Sequence, residues 1–127
     1  MSNTKKIIIL GGGESGVGAA ILAKKKGFDV FLSDFAEIKP QYKAMLNENG
    51  IDFEEKTHEG VENLINLTGF QNLLGLEVIK SPGIPDKAPI IKKIKEKDIH
   101  IISEIEFAGR YTNAKMICKS IKNSKSK

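Results

Sequence analysis

The run Lys6-Ile7-Ile8-Ile9-Leu10-Gly11-Gly12-Gly13-Glu14-Ser15-Gly16 joins a β-branched segment directly to a glycine-rich turn. Four apolar residues in succession, without polar alternation, are the pattern of a strand buried on both faces, as in a parallel sheet. The glycines satisfy G-x-G-x-x-G, with Gly11, Gly13 and Gly16 at the fixed positions. They permit a tight turn, and the helix expected from Ser15 or Gly16 offers free N–H groups and a partial positive charge to a phosphate. A turn of this kind can also serve only the close packing of helix on strand. Ser15 either adds a hydroxyl donor or caps the helix.

Beyond this run, short apolar segments alternate with amphipathic ones. The first helix should extend to Lys26, with Val17, Ala20 and Ile21 on one face and Gly27 as its stop. Phe28 to Leu32 reads as a second strand, and a helix from near Pro40 to Asn49-Gly50 carries Tyr42, Met45 and Leu46 at helical spacing. Ile51 to Glu54 reads as a short strand, and Val61, Leu64 and Ile65 mark another helical face. Asn66 to Leu74 fits neither period. Leu76 to Lys80 is a strand stopped by Ser81-Pro82-Gly83, because proline lacks the donor that a central strand needs. A helix with Pro89 in its first turn turns Ile90, Ile91 and Ile94 inward, and Ile99 to Ile102 closes the series as a strand.

This βαβα rhythm predicts the α/β class: a single Rossmann-like domain over residues 1–114, its parallel sheet covered by helices on both faces. Residues 115–127 are expected to be a disordered, Lys/Ser-rich tail. Ligands of such sheets bind beyond the carboxyl ends of the strands, which here are the loops 11–16, 33–36 and 81–85. Asp34 follows Gly16 at the distance where a nucleotide-binding fold places an acid for a ribose or base, or else it caps the loop after it. In Ser81-Pro82-Gly83-Ile84-Pro85 the prolines stiffen the backbone, while Gly83 allows a ligand close to the main chain; a rigid turn is the plainer alternative.

Composition excludes several classes. The 127 residues carry 20 Lys and Arg against 16 Asp and Glu, a formal charge of +4. The excess sits in Lys119, Lys122, Lys125 and Lys127, with no acid among the last nine residues and few aromatics anywhere, so no nucleic-acid partner is expected. Cys118 is the sole cysteine, without a partner for a disulfide or a zinc site, and reads as a small core thiol. Ile7 to Leu10 is too short for a membrane span or a signal peptide, which points to the cytoplasm. His58 and His100 stand in no motif and are expected at the surface. No catalytic residue and no metal ligand set is identifiable.

Ile9 to Gly16, Leu32-Ser33-Asp34, Lys80 to Pro85 and Ile102-Ser103-Glu104-Ile105-Glu106-Phe107 together resemble the Mur ligase family over about residues 5–118. Within it, Ser-Pro-Gly-Ile favours the member that adds D-glutamate to UDP-N-acetylmuramoyl-L-alanine over the one that adds L-alanine, and Ser-Glu-Ile-Glu is similar to a linker into the central domain. The resemblance implies a UDP-substrate-binding domain of a cytoplasmic ligase of peptidoglycan synthesis. It implies that the backbone at Gly13, Glu14 and Ser15 holds the diphosphate, that Asp34 and the Phe35 backbone meet the uracil, and that Gly83, beside Ser81 and Pro82, approaches the diphosphate–sugar region. Ala36 stands where some members have an Arg beside the uracil. Lys115 to Cys118 is similar to a strand that leads, in the family, into a phosphate loop for ATP and Mg²⁺. Lys119 to Lys127 stands there instead, so the chain is expected to be truncated before the ATP site, inactive alone and without a cofactor of its own. The alternative is a regulatory NAD-binding Rossmann module, which shares the glycine loop and the acid but leaves Ser-Pro-Gly-Ile-Pro unexplained.

Overall fold

In the computed structural model, residues 5–67 and 75–111 are described. The elements follow in the order β1 (Lys6–Leu10), α1 (Glu14–Lys25), β2 (Asp29–Asp34), α2 (Pro40–Glu48), β3 (Asp52–Glu55), α3 (Glu59–Leu67), β4 (Glu77–Lys80), α4 (Pro89–Glu96), β5 (His100–Ser103) and α5 (Glu104–Tyr111). All strand pairs among the described residues are parallel, as the sequence predicts, and their order is β3-β2-β1-β4-β5. The order reverses between β1 and β4, and the crevice beyond their carboxyl ends is where an open sheet of this kind receives ligands.

Alternation along β1 sends Ile7 and Ile9 to one face and Ile8 and Leu10 to the other, all four fully buried. The first pair packs with Val17, Ala20, Leu46 and Phe107, so α1, α2 and α5 cover that face. The second packs with Val61, Ile65, Ile90, Ile91 and Ile94 of α3 and α4. The uninterrupted apolar run of β1 is therefore the direct trace of a two-sided core.

Asp34 ends β2, as its place after the apolar run Phe28 to Leu32 implies, with Ser33 and Asp34 paired in register with Glu54 and Glu55 of β3. One local reading changes. The segment similar to a linker is a helix, α5. Ser103 Oγ accepts the Glu106 N–H at 3.0 Å, Phe107 is fully buried, and Arg110 grips Glu77 with two bonds of 2.8 Å. The guanidinium, with His100 beside it, holds the Glu77 carboxyl below its ordinary range. The expected strand at Lys115–Cys118, the tail 115–127, the core thiol of Cys118 and most of the 66–74 stretch lie outside the described residues.

α1 begins against the exit of β1 only because Gly16 has no side chain. A Cβ there would collide with the carbonyl oxygen of Gly11 and lie 2.9 Å from its carbonyl carbon, both rigid backbone atoms. A Cβ at Gly18, two residues on, meets nothing within 4 Å. Gly16→Ala is therefore expected to destabilise by about 3 kcal/mol or more, whereas Gly18→Ala should stabilise by about 0.5–1 kcal/mol through helix propensity. Urea denaturation of the two variants decides this, and similar effects from both would contradict the packing described.

Candidate functional site

Beyond its last residue, β1 is held by both neighbours. The Gly11 N–H donates to the Ser33 carbonyl at 2.8 Å, and the Ser81 N–H donates to the Leu10 carbonyl at 3.0 Å. Gly11 has φ +117°, and a Cβ there would lie 2.8 Å from that of Ser81, so conformation and space both require glycine. The Gly12 N–H donates to Asp34 Oδ2 at 2.7 Å, and the Ala36 N–H to Oδ1 at 2.8 Å. Asp34 thus caps the loop after it and ties the glycine turn to the end of β2, with lone pairs left on both oxygens. Gly13 is the extended residue before α1, and Gly13, Glu14 and Ser15 are exposed. The N–H groups of the first turn of α1, which have no partner within the helix, open to solvent there.

Two clefts open at this edge of the sheet. The larger, of about 600 Å³, lies between Asp34 and Phe35 on one side and Gly83 and Ile84 on the other, with Thr57 and His58 also lining it. The 81–85 loop is braced by a bond of 2.6 Å from Lys80 Nζ to the Ile84 carbonyl, and of 3.1 Å from the Ile84 N–H to the Ser81 carbonyl. The smaller cleft, of about 440 Å³, is lined by Ser15, Pro82, Glu104 and Ile105. The residues singled out in the sequence therefore divide: Asp34, Phe35 and Gly83 line one cleft and Ser15 and Pro82 the other, while Gly11, Gly13, Glu14, Gly16 and Ser81 line neither. Phe35 is 73% exposed, and its ring stands 5.7 Å from that of His58.

His58 is not the surface residue expected. It is half-buried, with Nδ1 2.7 Å from the Oγ of the fully buried Ser33. Ser33 Oγ also lies 2.7 Å from Glu54 Oε2 and 3.0 Å from the Thr57 carbonyl. Glu54 in turn accepts the Gly60 N–H at 2.8 Å and the Val61 N–H at 3.2 Å, fastening the start of α3. Burial pushes the His58 imidazole below its ordinary pKa, against the opposing pull of Glu54, Asp34 and Glu62. The one available signal was positional: residues 56–58 also follow the carboxyl end of a strand. His100, by contrast, is exposed beside Glu77. Glu104, which the sequence did not single out as a site residue, is 6% exposed, and its Oε2 has no partner among the described residues. Among those residues no group of three His, Cys, Asp or Glu could hold a metal ion, and no helix is long and apolar enough to cross a membrane.

No protein-family model matches the chain. It is 54% identical over 121 residues to the UDP-N-acetylmuramoylalanine–D-glutamate ligase of Bacteroides fragilis, which covers 95% of this chain and 25% of that enzyme. The enzyme of the same name from Cytophaga hutchinsonii is 46% identical over 125 residues, covering 96% of this chain and 26% of the relative. The chain thus spans about a quarter of the length of the curated relatives it matches. Among solved structures, UDP-N-acetylmuramate-alanine ligase of Thermotoga maritima superposes with a TM-score of 0.61 at 23% identity, over 81% of this chain and 21% of that one, a likeness of fold.

Because the fold favours the neutral imidazole, His58 is expected to titrate below 6.5 in a histidine NMR titration. The associated stability is fully present above 6.5, the unfolded value, and is lost as the pH falls through the lower folded midpoint. His58→Gln should flatten that part of the pH dependence of unfolding. A midpoint at or above 6.5 would contradict the burial of the imidazole described above.

Proposed function

We propose that this chain, which belongs to the Mur ligase family through its match to the N-terminal quarter of the D-glutamate-adding enzymes, holds the uridine diphosphate end of UDP-N-acetylmuramoyl-L-alanine during cytoplasmic peptidoglycan synthesis. Residues 1–114 are the binding unit in this reading. The observation that carries it is the exposed first turn of α1, which borders the smaller cleft and follows β1 where the strand order reverses, with the larger cleft opening beside Asp34. A diphosphate on the N–H groups of Gly13, Glu14 and Ser15 meets the positive end of the helix dipole. The base then enters the larger cleft beside Asp34 and Phe35, and the sugar leaves past Ser81, Pro82 and Gly83. The D-glutamate ligases among the relatives favour this ligand over NAD, for which nothing in the comparisons speaks.

ATP and Mg²⁺ are the cofactors we assign to the longer relatives. The described residues do not fit either. No carboxylate or histidine cluster is present for a metal, and the glycine turn lacks the Lys-Ser/Thr pair of an ATP phosphate loop. The role derived for this chain is accordingly to bind and orient, and no step of amide-bond formation is assigned to it.

Calorimetry with UDP-N-acetylmuramoyl-L-alanine, UDP and NAD tests the reading. The two uridine ligands should bind at least about tenfold more tightly than NAD, a difference of about 1.4 kcal/mol. Asp34→Ala, which releases Gly12 and Ala36, should weaken UDP by a similar factor. A preference for NAD would overturn the proposal.

A further inference from the structure

The contacts of Ser33 fix more than the position of His58. Its hydroxyl has one proton and three polar neighbours: Glu54 Oε2 at 2.7 Å, the Thr57 carbonyl at 3.0 Å and His58 Nδ1 at 2.7 Å. The first two only accept hydrogen bonds, so the proton goes to one of them, and the shorter contact to the carboxylate takes it. The contact with His58 then needs its proton from the ring, which makes Nδ1 the donor. A neutral imidazole has one N–H, so Nε2 carries a bare lone pair. It makes no hydrogen bond to a described residue, whereas the ring itself lines the larger cleft beside Asp34 and Phe35.

We propose that His58 selects the base: held as its Nδ1–H tautomer by Ser33 and Glu54, it offers Nε2 as an acceptor to the N3–H of a uracil ring in the cleft between Phe35 and Ile84. Uracil presents a donor at N3. Cytosine presents a lone pair there, which would face the lone pair of Nε2, so the cleft discriminates between two pyrimidines of equal size by hydrogen-bond polarity. The lining carries no cation, and the ring of Phe35 supplies a flat apolar surface for a base.

The inference rests on the uridine-nucleotide reading, and the experiment separates the two. UDP and CDP are titrated into the chain and into His58→Phe, which keeps a ring against Phe35 and removes both nitrogens. The expected result is a preference for UDP of at least about tenfold that falls to near unity in the variant. Nitrogen-15 spectra of the unsubstituted chain give a second readout that needs no variant: an unprotonated Nε2 whose resonance shifts with UDP and not with N3-methyl-UDP. UDP binding without discrimination, with the same discrimination in the variant, or with a protonated Nε2 at neutral pH overturns the role of His58 and leaves the nucleotide reading standing. Failure of any uridine nucleotide to bind overturns both.

Discussion

The missing side chain at Gly16 is the constraint on which the architecture turns. It lets the first turn of α1 rest on the Gly11 carbonyl, and that contact sets where the helix begins relative to the sheet. The exposed start of α1 then follows directly on Gly11 and Gly12, which touch Ser81 and Asp34. Gly11 makes the same arrangement possible from the other side, since only glycine takes its positive φ in contact with Ser81. Two absent side chains thus bring three strand exits together.

What holds those exits is a set of carboxylates bonded to backbone N–H groups. Asp34 holds Gly12 and Ala36, Glu54 holds Gly60 and Val61, and Glu55 holds Ile38. For Glu55, the Ile38 N–H and the Lys43 ammonium favour the ionised form and lower its pKa. Asp34 and Glu55 join segments 22 and 17 residues apart, and Glu54 ties the end of β3 to the start of α3, so the loops at the carboxyl edge are braced by charge-assisted hydrogen bonds where the apolar core ends. The sequence leaves Asp34 between ligand contact and loop cap. In the fold it caps and clamps, and a ligand would meet a carboxylate already oriented by two donors.

The sheet and its helices were legible because their signals are local. The run Ile7 to Leu10 shows two-sided burial, and Pro89 followed by Ile90, Ile91 and Ile94 shows a helix start and its inward face. The glycine turn was legible for the same reason. α5 was missed although its signal was present: Ser103-x-x-Glu106 is a capping pattern before the buried Phe107, and resemblance to a linker took its place. His58 was missed for a different reason. Its environment is made by Ser33, 25 residues earlier, and by the return of the chain through β3, so no window around Thr57-His58-Glu59 contains it. Glu104 is comparable, its burial arising from the contact of α5 with α1.

The distribution of charge constrains how such a site can work. All 16 acids lie between Glu14 and Glu106, within the segments that build the sheet and its clefts, whereas the lysine excess lies in the last nine residues. The larger cleft is lined by Asp34, Glu59 and Glu62, and the nearby Lys80 is committed to the Ile84 carbonyl. A diphosphate would therefore find little net positive field at the strand ends. Its attraction must come from the oriented N–H groups of α1, about half a charge acting over one turn. Such a site holds an anion at short range and by direction, and it leaves discrimination to hydrogen bonds with the uncharged parts of the ligand.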